Sequence, residues 1–190
     1  MKKILKLIPF LWLIMIVLLV QTACGPTYSR SVLLTETKFD PETSGIMVGV
    51  IELEATPAPQ DINSNFELEE IYKIYRESLN KTLKLYGIAY EPGKNKIITN
   101  ITILGYKEGN AFVRWLSPAG GESRIQVQAT LEVDGQIIGG VESQKTIAWG
   151  GAYSIGGWRM VIRRSANDVG SRICQEVFRK NLGKSCYLSD

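Results

Sequence analysis

Between Ser123 and Val133 the chain alternates without a break. Ile125, Val127, Ala129, Leu131 and Val133 are set against Arg124, Gln126, Gln128, Thr130 and Glu132. A period of two puts successive side chains on opposite faces, so this is a strand with one buried face and one wet face. Asp134-Gly135 follows. Such a pair between patterned runs is a hairpin signal, because it supplies the positive φ that a tight turn needs. The return strand spans Ile137 to Trp149. A two-residue turn would set Glu142 opposite Val127 on the core face. A three-residue loop, Asp134 to Gln136, instead opposes Val133, Leu131 and Ala129 with Ile137, Gly139 and Val141. A slip of one residue turns every side chain over, so burial selects the three-residue loop.

The remaining elements arrange themselves around this hairpin. Ile46 to Leu53 is a short β-branched apolar run, suited to a strand covered on both faces and so to a central one. Pro57 and Pro59 mark the loop after it. Phe66 to Tyr86 reads as a helix: Asn65 caps it, and Glu67, Glu69 and Glu70 lie in the first turn. Leu68, Ile71, Tyr75, Leu79, Leu83 and Tyr86 make one apolar stripe, and Gly87 stops it. Ile97 to Tyr106 is a further strand, with Ile97, Ile101 and Ile103 on one face. Lys107 to Gly121 is a loop whose middle, Phe112 to Leu116, is a strand end or an exposed apolar flap. The last helix is expected from Ser165, as N-cap with Asp168 three on, to Leu182 before Gly183. The order β-α-β-β-β-α predicts an α+β fold: a four-stranded, mostly antiparallel sheet with two helices on one face. The helix between the first two strands is the only crossover, right-handed if those strands run parallel.

The N-terminus is a different kind of segment. Lys2, Lys3 and Lys6 precede an almost uninterrupted apolar run to Val20, then Gln21-Thr22-Ala23-Cys24. A basic start, a short apolar core and a small residue before a cleavage point make an export signal. The run is shorter than the roughly 20 residues a bilayer span needs. Ala23-Cys24 fits a lipobox, in which Cys24 is acylated and becomes the mature N-terminus; an uncleaved anchor and ordinary signal cleavage are the alternatives. The expected organisation is a signal peptide over 1–23, a polar tether over 24–45 carrying Pro26 and Pro41, and a single periplasmic domain over 46–190.

Charge and composition exclude several functions. The formal net charge is +3, but Lys2, Lys3 and Lys6 supply all of it, and the mature chain is neutral. No global basic field argues for nucleic acid. Residues 36–91 hold 11 acids and five bases, and residues 159–184 hold seven bases and two acids. Either these segments pack together and compensate, or the second presents a basic surface. The chain has no histidine, which removes the usual general base and most zinc sites. No metal or cofactor is expected. With Cys24 acylated, Cys174 and Cys186 remain as a possible disulfide in an oxidising compartment, or as two small apolar residues.

The acylated cysteine, polar tether, apolar strand, helix ending at Gly87, meander around Asp134-Gly135 and closing helix together resemble the small envelope lipoproteins of unassigned function typified by YajG. More distantly, they resemble the α+β domain of secretion-channel lipoproteins. The resemblance is one of layout over residues 24–182. It implies an outer-membrane lipoprotein facing the periplasm, since Gly25 rather than Asp follows the cysteine, and it carries no residue roles beyond Cys24.

Three functions are weighed. The first is an interaction or structural component of the envelope, held to the membrane by the N-terminal lipid and contacting a protein partner. Trp115, Trp149, Tyr153, Trp158 and Arg159, around the glycine-rich stretch 150–157, are its candidate contacts, as exposed Trp, Tyr and Arg are typical interface anchors. The bland reading is that the tryptophans cap the edges of a small core. The second is a lipid- or glycan-binding module using the same residues with Arg163 and Arg164. The third, an enzyme, would need paired carboxylates such as Glu122, Glu132 and Glu142, which read as solvated strand residues. No catalysis and no nucleic-acid partner are expected.

Overall fold

The computed structural model describes residues 27–34, 39, 45–54, 65–116, 121–148, 156–178 and 186. Among the described residues, five strands form one mixed sheet, and there are three helices. In order they are β1 (Tyr28–Leu33), β2 (Ile46–Glu54), α1 (Asn65–Leu85), β3 (Asn95–Lys107), α2 (Ala111–Leu116), β4 (Ser123–Val133), β5 (Gln136–Ile147) and α3 (Gly157–Val177). The strand order is β1-β5-β4-β3-β2, so β2, expected as a central strand, lies at an edge of the sheet. β2 runs parallel to β3, and the other neighbours are antiparallel. Among the described residues no helix is long and apolar enough to cross a membrane.

The sheet therefore has five strands where the sequence suggested four. The extra strand is β1, which lies inside the stretch read as tether. It pairs with β5 from Tyr28↔Gln144 to Leu33↔Gly139. Its alternation runs opposite to expectation. Ser29 and Ser31 point to the helix side, and Ser29 Oγ accepts a hydrogen bond from Arg172 Nε of α3 at 2.8 Å. Tyr28, Arg30 and Val32 point outward. A strand that turns serines inward leaves no apolar periodicity to detect.

The β4–β5 hairpin corrects the expected loop. Val133 pairs with Gln136, so the turn is the two residues Asp134 and Gly135, both at positive φ (50° and 80°). Leu131 still faces Gly139, and Ala129 still faces Val141. A bulge reconciles the two: Glu132 pairs with Ile137, Leu131 with Gly139, and Ile138 is the additional residue. The tight turn is kept and the apolar set still faces inward.

α1 and α3 cover one face of the sheet. Ile71, Tyr75, Leu79 and Leu83 of α1 meet Ile97, Ile101, Ile125, Val127 and Leu131 of the sheet, and Val161, Ile162, Ala166, Val169 and Ile173 of α3, in one buried core. Each fully buried Ile or Leu contributes roughly 1.5–3 kcal/mol. α3 begins eight residues before the expected start. Its N-cap is Gly156 at φ 77°, without a side-chain cap. Ser165, expected as the cap, is fully buried in mid-helix against Ser143 of β5. The helix also stops at Val177 rather than Leu182. Phe178 leaves it in extended geometry, is itself buried, and bridges to Phe39. Cys174 of α3 is disulfide-bonded to Cys186, with a Cα–Cα distance of 5.8 Å. Ser171 Oγ donates to the Cys186 carbonyl beside it.

Candidate functional site

Among the described residues no helix covers the other face of the sheet, and its side chains are organised. Arg30, Glu142, Gln128 and Thr102 form one cross-strand row, and Tyr28, Gln144, Gln126 and Gly105 the next. Glu142 is the centre. Its Oε1 accepts from Tyr28 Oη at 2.6 Å and from Gln126 Nε2 at 3.1 Å. Its Oε2 accepts from Arg30 Nε at 2.7 Å and from the second Arg30 nitrogen. The Tyr28 hydroxyl, and after it Arg30, hold the Glu142 carboxyl below its ordinary value, while the same carboxylate raises Tyr28. Around this network the face exposes Val32 (61%) and Ile137 (58%).

A second polar group sits behind β5, between sheet and helix. Ser143 Oγ donates to Asp168 Oδ2 at 2.8 Å, and Lys145 Nζ lies 3.2 Å from the same oxygen. Ser165 Oγ reaches Ser143 at 3.4 Å. Burial pushes the nearby Tyr75 hydroxyl well above its ordinary pKa. The contacts of Ser143 and Lys145 with Asp168 and Ser165 hold α3 to β5.

The third feature is α2, between β3 and β4. Asn110 Oδ1 caps it, accepting from Phe112 N (2.9 Å) and Val113 N (3.1 Å). Asn110 N donates to the Gly121 carbonyl at 2.9 Å, which closes the loop at its base. Gly109 has φ 77°, and a Cβ there would lie 2.4 Å from the Glu122 carbonyl oxygen, so only glycine fits. On this fixed base the six-residue helix exposes Phe112 (65%), Val113 (39%) and Leu116 (62%). Phe112 to Leu116 is thus a helical flap, not a strand end.

The residues singled out from the sequence are placed as follows. Trp115 belongs to α2. Trp158 and Arg159 open α3. Trp158 is half-buried against the core, with the Arg159 guanidinium 4.5 Å from its ring centroid. Arg159 also pairs with Glu70 of α1 at 2.8 Å, a contact between the acidic and basic segments. Cys24, Trp149 and Tyr153 lie outside the described residues. Glu122 is held by Arg124 at 3.2 Å and Lys107 at 3.9 Å. Sequence reasoning missed Tyr28, Arg30 and Gln126 as partners of Glu142. Two of them sit on the unrecognised strand β1, whose outward Tyr-x-Arg-x-Val alternation was the available signal.

Residues 46–151 match the model of a family described as a domain of unknown function, DUF4410. That span runs from β2 through β5 and leaves β1 and α3 as flanking elements. Among solved structures the chain is similar to the PelC dodecamer from Paraburkholderia phytofirmans. The identity is 12% over 82% of this chain and 100% of that one, with a TM-score of 0.52. It is also similar to a minor lipoprotein from Acinetobacter baumannii, at 13% identity over 69% of this chain and 91% of that one, with a TM-score of 0.36. No curated protein matches the chain. At such identity the first likeness concerns the fold alone.

Proposed function

We infer that this chain, which belongs to the DUF4410 family, is an outer-membrane lipoprotein anchored through Cys24, with its domain in the periplasm. There it is an interaction and structural component of the envelope rather than a catalyst. The carrying observation is the sheet face that no described helix covers, on which an ordered polar network sits beside exposed Val32 and Ile137. Rigid polar groups rimmed by apolar side chains are what a protein contact uses. Arg30 and Arg124 lie on the same face as Glu132 and Glu142, so the face is complementary to itself and suits a second copy. The PelC likeness, to a protein crystallised as a dodecamer, favours self-association.

The sheet carboxylates support the non-catalytic reading. Glu122 is paired with Arg124, and the Tyr28 hydroxyl and Arg30 hold the Glu142 carboxyl below its ordinary value, away from the range of a general acid. Glycan binding is disfavoured at Trp158, since Arg159 covers the ring where a sugar would stack. The test is the mass of the detergent-extracted full chain by light scattering, beside Val32→Asp with Ile137→Asp. Several copies for wild type and one for the variant, with unchanged circular dichroism, is the expected result. A monomeric wild type would sink self-association.

A further inference from the structure

We propose that α2 is a membrane-docking element that seats its exposed apolar residues in the leaflet carrying the Cys24 acyl chains. The inference rests on the anchored reading above and adds which surface of the domain meets lipid.

Strand polarity carries the argument. β4 begins at Ser123, which pairs with Ile147 near the end of β5. β1 is antiparallel to β5 and begins opposite Gln144, three residues from that same end. β3 arrives there as well, with Lys107 opposite Arg124, and α2 spans from β3 to β4. The start of β1 and α2 therefore share one end of the sheet, with β5 the one strand between β1 and β4. That lateral separation is about 10 Å. Cys24 precedes Tyr28 by four residues, which reach at most about 14 Å. The backbone of Cys24, from which the acyl chains hang, can lie no farther than that from the start of β1. The acylated end and α2 are then held against the same surface.

The chemistry of α2 suits that surface. Its sequence, Ala-Phe-Val-Arg-Trp-Leu, combines large apolar residues with Trp and Arg, the composition enriched at the membrane interface. One exposed apolar residue is ordinary, but three within six positions on a braced helix form a patch. The far end also exposes Leu34, Leu85, Tyr90 and Ile137, but these come from the residue after β1, a helix end, a loop and a hairpin. Met160, exposed near the start of α3, adds to the α2 end, because α3 follows the end of β5. The acyl chains on Cys24 hold the protein to the leaflet. α2 fixes the orientation of the domain there.

The experiment uses the full chain in vesicles of phosphatidylethanolamine and phosphatidylglycerol containing a doxyl-labelled lipid. A fluorophore is placed on Leu116→Cys, or on Gln136→Cys at the opposite end. Acylation is scored in each sample by the mass of the N-terminal peptide. Quenching at 116 several-fold stronger than at 136, in acylated and vesicle-bound protein, supports the proposal. Equal and weak quenching at both sites in acylated protein overturns it and leaves the anchor standing. Self-quenching between labelled copies at 116, without lipid quenching, assigns α2 to a protein contact and also overturns it. A chain that binds without acylation defeats the anchored reading and this proposal together. Phe112→Ser with Leu116→Ser, two exposed sites that should leave folding unchanged, should leave attachment intact but abolish any quenching difference between Ala111→Cys and Gln136→Cys probes.

Discussion

At the scale of residues, Glu142 has the clearest consequence. The Tyr28 hydroxyl and Arg30 hold its carboxyl below the ordinary value of 4.5. A depressed carboxylate stabilises the fold fully above its ordinary value, and that contribution is lost as pH falls through the depressed folded-state pKa. Acidification from about pH 5 downward should therefore loosen β1 from β5 before the core responds. The pair is solvent-facing, so the effect is a few tenths to about 1 kcal/mol. The protection factor of the Tyr28 to Val32 amides, with the intrinsic pH dependence of exchange divided out, should fall in wild type from pH 6 to 3. Glu142→Gln should be weakly protected throughout and show no such fall. An unchanged pH profile in that variant would show that the network does not hold the strand. Glu142 was legible in sequence as an outward strand residue. Its partners were not, because alternation reports the face a side chain occupies and says nothing of which strand comes to lie beside it.

Among elements, the contact between α1 and α3 decides how closely the helical layer packs. The two helices run in the same direction, since Glu70 meets Arg159 and Thr82 meets Asn167. Gly170 marks their closest approach: a Cβ there would lie 2.7 Å from Thr82 Cγ2 and 3.2 Å from Leu79 Cδ1. In an isolated helix Gly→Ala gains about 1 kcal/mol. Here overpacking costs roughly 1–3 kcal/mol, so Gly170→Ala should destabilise the protein in urea unfolding. Adding Thr82→Ser, which removes Cγ2, should recover part of the loss; a stabilised Gly170→Ala would mean that the helices simply move apart. The elements with strong periodicity, α1, β3 and β4, were legible almost to the residue. α3 was not, because Gly156-Gly157 looks like loop and Ser165 like a cap. Yet Val161 and Ile162 continue the stripe of Ala166 and Val169 backward by one turn. The buried hydroxyl of Ser165, facing Ser143, is a tertiary contact that mimics a local start signal. The two-residue turn was hidden for a related reason, since a bulge at Ile138 lets a tight turn and a buried apolar face coexist, and periodicity alone forces a choice between them.

For the whole molecule, the proposed anchoring makes the orientation of the domain depend on one residue and one strand. β1 occupies the edge of the sheet and begins at Tyr28, so no long tether separates Cys24 from the fold. A domain joined by so short a link cannot sample distant positions as one on a 22-residue polar tether would, because reach grows with the number of free residues. The consequence is sharp for Cys24→Ser. Acyl chains and an uncleaved apolar segment hold a protein with different strength and reversibility. Wild type should incorporate labelled palmitate and carry it on a peptide that starts at residue 24. Cys24→Ser should lose the label and move to the soluble fraction on osmotic release, with the Tyr28–Glu142 contact and the fold unchanged. The three exposed residues of α2 bury too little apolar area to retain the domain alone, so pelleting of the variant would have to come from the N-terminal apolar run. Should the variant pellet while still carrying residues 1–23, that run is the anchor, and the lipid reading gives way to a spanning or interfacial one.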